Sequence, residues 1–107
     1  MRTAVKLLLS VIITLGFISY SGAQDWANLN RFKEENAKLG MPRTCDDRVV
    51  FMGNSITQGW IEKVPKFFEN RPYINRGISG QTTPQMLLRF RQDVINLYPK
   101  VVVILAG

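Results

Sequence analysis

Arg48-Val49-Val50-Phe51-Met52-Gly53 is an apolar run of β-branched and aromatic residues that stops at a glycine. It shows no polar alternation, which suits a strand buried on both faces of a parallel sheet. Downstream the pattern turns helical, with Trp60, Val64, Phe67 and Phe68 on one side and Pro65 shortening or bending the helix. Tyr73-Ile74-Asn75-Arg76-Gly77-Ile78 reads as a second strand and Ser79-Gly80-Gln81 as a turn. Thr82 or Thr83 then caps a helix with Pro84 at its first position, and Leu87, Phe90, Val94 and Leu97 recur at steps of three and four as its buried face. After Tyr98-Pro99 comes Val101-Val102-Val103-Ile104-Leu105, the most strand-like segment of the chain. Upstream, Trp26, Leu29, Phe32 and Leu39 predict a helix over Asp25–Leu39, capped by Asp25, ended by Gly40-Met41-Pro42 and packed across the domain. The order is β-α-β-α-β. Parallel strands need such crossovers, and the crossovers are right-handed. The expectation is an α/β fold with a parallel sheet of about three strands and two to three helices on its faces.

The chain has 107 residues, room for one small domain. Residues 1–23 read as a signal peptide: Arg2 and Lys6 form a positive start, Leu7 to Ile18 is largely apolar, and Ser21-Gly22-Ala23 places small residues at the cleavage site before Gln24. The apolar stretch falls short of the roughly 20 residues a spanning helix needs. A secreted or periplasmic protein, cut after Ala23 and holding no stable membrane anchor, is expected. The folded domain then covers 24–107. The net charge of +6 falls to +4 without Arg2 and Lys6. The remaining basic residues, among them Arg43, Arg48, Lys63, Lys66, Arg71, Arg76, Arg89, Arg91 and Lys100, are scattered. They read as a solvated surface rather than a nucleic-acid footprint. Cys45 is the sole cysteine, so neither an internal disulfide nor a cysteine-rich zinc site is available, and it reads as a bland or buried thiol. The sequence contains no His. That removes the commonest metal ligand and the usual proton acceptor of a serine nucleophile. No metal and no cofactor are expected.

Ligands of open parallel sheets bind at the carboxyl ends of the strands. Two segments that arrive there place a serine beside glycine: Gly53-Asn54-Ser55-Ile56-Thr57 and Gly77-Ile78-Ser79-Gly80. A hydroxyl at a strand end, followed by a helix, meets free backbone N–H groups and a favourable dipole, which is where an oxyanion hole can be built. Gly53 to Gly59 lacks the Gly-Lys-Ser/Thr of a phosphate-binding loop. Gly77-x-x-Gly80 is too short for a dinucleotide fingerprint, and it follows a strand, unlike the helix-joining Gly-x-x-Gly of KH domains. Ordinary strand-to-helix turns, which also need glycine and a cap, explain either segment taken alone.

Together they resemble something more specific. Val50-Phe51-Met52-Gly53-Asn54-Ser55-Ile56-Thr57 is similar to block I of the SGNH (GDSL-type) hydrolases, usually Gly-Asp-Ser. Asn75-Arg76-Gly77-Ile78-Ser79-Gly80-Gln81-Thr82-Thr83 resembles block II, and Val101 to Gly107 resembles the strand leading into block III. The likeness covers about Arg48–Gly107 in the family's order and spacing. It implies a three-layer α/β/α, flavodoxin-like fold and an esterase or acylhydrolase reaction on a small acetyl or acyl ester, on a carbohydrate for example. Residue by residue, it implies Ser55 as nucleophile, the Ser55 and Gly80 backbone N–H groups as oxyanion donors, and Gly53 and Asn54 as the supporting loop. Asn54 stands in place of the usual Asp and keeps a hydrogen-bonding side chain without the charge. The block III Asn and the block V Asp-x-x-His have no counterpart in these 107 residues. The resemblance therefore implies an N-terminal part of such an enzyme, inactive by itself, with Val101–Leu105 left as an exposed apolar edge. The other reading is a non-catalytic secreted α/β binding protein whose Ser-Gly loops hold an anion.

Overall fold

The computed structural model describes residues 24–107; the expected signal segment, 1–23, lies outside them. Helix α1 (Lys33–Leu39) precedes strand β1 (Val49–Gly53), helix α2 (Ser55–Lys63), strand β2 (Tyr73–Gly77), helix α3 (Thr83–Asp93) and strand β3 (Val101–Leu105). The three strands form one parallel sheet in the order β2-β1-β3. Val49 pairs with Tyr73 on one side and Val101 on the other, and Gly53 with Gly77 and Leu105, so the carboxyl ends of the strands lie level.

Successive side chains of a strand point to opposite faces, and each face of β1 finds its own cover. Val50 and Met52 are buried with Ile74, Met86, Val94 and Leu97, while Phe90, Val102 and Ala106 pack around them. Phe51 points the other way into an aromatic cluster with Trp60, Phe67, Phe68 and Tyr73, at ring-centroid distances of 5.3 to 6.0 Å and mostly edge-to-face. Such pairs each add about 0.5–1.5 kcal/mol beyond area burial. Helices thus cover both faces of a parallel sheet, the expected α/β architecture in incomplete form.

Several boundaries differ from the sequence reading. The expected helix over Asp25–Leu39 is helical only from Lys33. Before it, the Asp25 carboxylate accepts the Leu29 and Asn30 N–H groups at 2.7 and 2.8 Å, which favours turns over a continuous helix. Helix α2 starts at Ser55, well before Trp60, and gives way to a 3-10 turn at Pro65–Phe67 where proline removes a donor. Helix α3 buries Met86, Arg89 and Asp93, while Leu87 stands 75% exposed. The apolar period placed Leu87 on the inner face, but that face is partly an ion pair. The scattered basic residues are not all solvated either: Arg48, Arg76 and Arg89 are buried. Arg48 donates to the Leu97 and Gly40 carbonyls at 2.7 and 3.1 Å, tying the start of β1 to two chain reversals. Cys45 is exposed.

Candidate active site

The two glycine-serine loops leave neighbouring strands in register. Gly53 of β1 is level with Gly77 of β2, and each chain end then turns into the loop that carries its serine. Helix α2 begins directly at Ser55, with Asn54 (φ −108°, ψ −132°) as the last non-helical residue. This abrupt start depends on the absence of a side chain at both strand ends. A Cβ on Gly53 would lie 2.5 Å from the Leu105 carbonyl oxygen and overlap the Thr57 side chain, and one on Gly77 would overlap the backbone of Thr57 and Gln58. Without those atoms the first turn of α2 sits flush on β1 and β2.

Ser55 is therefore the first residue of a helix, and it is exposed. The N–H groups of a first turn have no partner within their own helix, and the dipole there favours negative charge. The second loop is fastened beside it. The Ile78 N–H donates to the Gly53 carbonyl at 3.1 Å, and the Ser79 N–H donates to Gln58 Oε1 at 2.7 Å. Gly80 follows with φ +77°, in the left-handed region. Its exposed backbone and that of Ser55 thus belong to two loops pinned to one another at the same end of the sheet. Gln81 is buried behind them and donates to the Ala27 carbonyl at 2.7 Å.

Beneath the loops lie buried polar residues whose partners the sequence alone does not reveal. Asn75, on the α2 face of β2, donates to the Thr57 carbonyl at 2.7 Å and accepts the Gly77 N–H at 2.9 Å. On the other face runs a connected polar chain. Arg76 donates twice to Asn36 Oδ1, at 3.0 and 2.8 Å, and Asn36 donates to Asp93 at 2.7 Å. Asp93 pairs with Arg89 at 3.3 Å, both side chains fully buried. Arg89 reaches Gln81 Oε1 at 2.5 Å and the Gly53 carbonyl at 3.3 Å. The Phe32 ring takes Arg76 and Arg89 over its face, at 4.7 and 6.0 Å. Burial lowers the Arg76 guanidinium to about 10, opposed by the charges of Asp93 and Glu35. Burial likewise lowers Arg89, opposed by its bond to Asp93. Arg76 remains a cation at neutral pH. One signal for this chain was present in the sequence: Arg89 and Asp93 stand four apart on the same side of the helix as Met86, a spacing that pairs opposite charges.

No family model matches the chain, and no curated protein does; solved structures do. A candidate acylhydrolase from Bacteroides fragilis is 56% identical, superposes with a TM-score of 0.76 and matches over 79% of this chain and 41% of its own. A GDSL-like lipase from Bacteroides thetaiotaomicron is 59% identical, with a TM-score of 0.73 over 76% of this chain and 40% of its own. The chain thus spans about two fifths of the length of these relatives. A parallel sheet in the order β2-β1-β3, two pinned glycine-serine loops at its carboxyl end and neighbours at such identity lead to one assignment: the chain belongs to the SGNH (GDSL-type) hydrolase family, of which it carries the segment with the first two blocks.

Proposed function

We propose that these residues supply the nucleophile and two oxyanion donors of an exported serine hydrolase acting on carboxylic esters. The observation that carries the reading is the position of Ser55: exposed, first in its helix, at the carboxyl end of the central strand and beside the pinned Gly80 loop. In that reaction Ser55 Oγ attacks the ester carbonyl carbon. The carbonyl oxygen gains negative charge and takes hydrogen bonds from the Ser55 and Gly80 N–H groups, and the alcohol departs as an acyl-enzyme forms. Water then releases the acid. Asn54, uncharged, leaves the approach of the developing oxyanion free of a neighbouring carboxylate. Small acetyl or acyl esters, including acylated carbohydrates, are the proposed substrates, and the signal-like residues 1–23 support export.

The proton of Ser55 needs an acceptor, and the 107 residues contain no His. The base must come from elsewhere in a complete site. Two measurements follow. The chain as it stands is expected to resist labelling by a fluorophosphonate probe at neutral pH; rapid phosphonylation of Ser55, with loss of fluoride, would overturn the need for an outside base. A chimera joining this chain to the remaining portion of the B. fragilis relative is expected to hydrolyse p-nitrophenyl acetate, with Ser55→Ala lowering the rate by at least about a thousandfold. A folded chimera that leaves the ester intact, or that is indifferent to Ser55→Ala, would sink the proposal.

A further inference from the structure

The buried guanidinium of Arg89 ends on the backbone of the serine loop. Its three nitrogens go to three acceptors on three segments: Nε to Gln81 Oε1 at 2.5 Å, Nη1 to Asp93 Oδ2 at 3.3 Å, and Nη2 to the Gly53 carbonyl at 3.3 Å. Gln81 follows Gly80 in the second loop, Asp93 lies on α3, and Gly53 is two residues before Ser55. The Gly53 carbonyl is also the acceptor of the Ile78 N–H. One planar fork thereby joins the loop carrying the nucleophile to the loop carrying Gly80. Its own position is fixed in turn through Asp93, Asn36 and Arg76, and by the Phe32 ring.

We propose that Arg89 is a positioning residue for the hydrolase site, setting the spacing between the Ser55 and Gly80 loops through the Gly53 carbonyl and Gln81. This rests on the serine-hydrolase reading for its functional meaning, but not for its geometry. A buried ion pair alone would require only the Arg89–Asp93 contact. The other two bonds go to the two loops, and no lysine could make all three, because an ammonium is a point donor without the fork. Oxyanion donors act only when held within a few tenths of an ångström of the developing charge, so a shared anchor beneath both loops bears on rate rather than on substrate affinity.

The test separates anchoring from stability. Arg89→Lys keeps the charge opposite Asp93 and loses the fork; Asp93→Asn weakens the ion pair and leaves the fork with its two loop acceptors. In the 107-residue chain, amide hydrogen exchange of Ile78 reports the Gly53 carbonyl directly, and a urea titration of each variant gives global stability. Arg89→Lys is expected to speed Ile78 exchange at least tenfold beyond what its loss of global stability accounts for. Asp93→Asn is expected to speed it only in proportion to its own loss. The proposal is overturned if both variants follow global stability alone, or if Arg89→Lys leaves Ile78 unchanged. In the chimera, Arg89→Lys is expected to lower kcat about tenfold or more with KM little altered; equal changes in both would also count against it. An inactive chimera would sink the hydrolase reading and leave the exchange result standing.

Discussion

Gly53 and Gly80 show how two glycines at one end of a sheet can be required for different reasons. At Gly53 the backbone is ordinary and the space is missing, since a methyl group would run into the Leu105 carbonyl and Thr57. At Gly80 the space is open and the backbone is unusual, with φ +77°. Gly80→Ala is therefore expected to cost about 1–2 kcal/mol, the penalty of a left-handed L-residue. Gly53→Ala forces backbone to move and is expected to cost about 3 kcal/mol or more. Urea midpoints of the two variants check the order, and a Gly80→Ala loss equal to that of Gly53→Ala would contradict it. Ser55 and Gly80 stand out in the sequence through their likeness to the family's first two blocks, whose motifs are short and contiguous in the chain. Arg89 and Asn75 do not, because their partners are on other segments: Gly53 and Gln81 for the one, Thr57 and Gly77 for the other. A solvated arginine and a buried one look alike until the fold brings acceptors to it.

Elements are legible in the sequence where the apolar period is strong and less so where side chains compete for the backbone. The three strands fall within a residue of expectation, since each is a run of apolar or β-branched residues bounded by glycine, proline or polar turns. The first helix is shorter than its apolar spacing suggested because Asp25 binds two N–H groups outside it. Helix α2 starts earlier because its first turn carries no apolar period at all; what places it is the lack of side chains at Gly53 and Gly77. Asn75 then locks α2 to β2, answering one carbonyl of the helix and one N–H of the strand. Asn75→Leu keeps the number and branching of side-chain heavy atoms and leaves both groups buried without partners, at about 1–3 kcal/mol each. The expected outcome is a loss of about 2–6 kcal/mol in urea unfolding; a loss below about 1 kcal/mol would mean that water or the loop itself satisfies them.

At the scale of the whole molecule, the sheet ends on β3, whose outer side pairs with no strand among the described residues. Val101 and Ile104 are more than half exposed there, and Val103 and Leu105 about two fifths. Next to that edge lies an apolar hollow between Met52, Met86, Leu87, Phe90, Ile104 and Ala106. An unpaired, apolar, parallel edge is a template for pairing with another chain. The 107-residue chain is expected to self-associate, and Val101→Lys with Val103→Lys to lower its light scattering severalfold while changing the urea midpoint little. Scattering that is indifferent to the two lysines would place the sticky surface elsewhere. The strand order has one more consequence, for the time course of folding. Because β1 is central, it meets β2 after a single crossover but β3 only after two. Loop closure favours the nearer partner, so on a growing chain β1, α2 and β2 can dock while α3 is still being made. The glycine-serine loops, which lie on that early side, would be aligned before the last strand emerges.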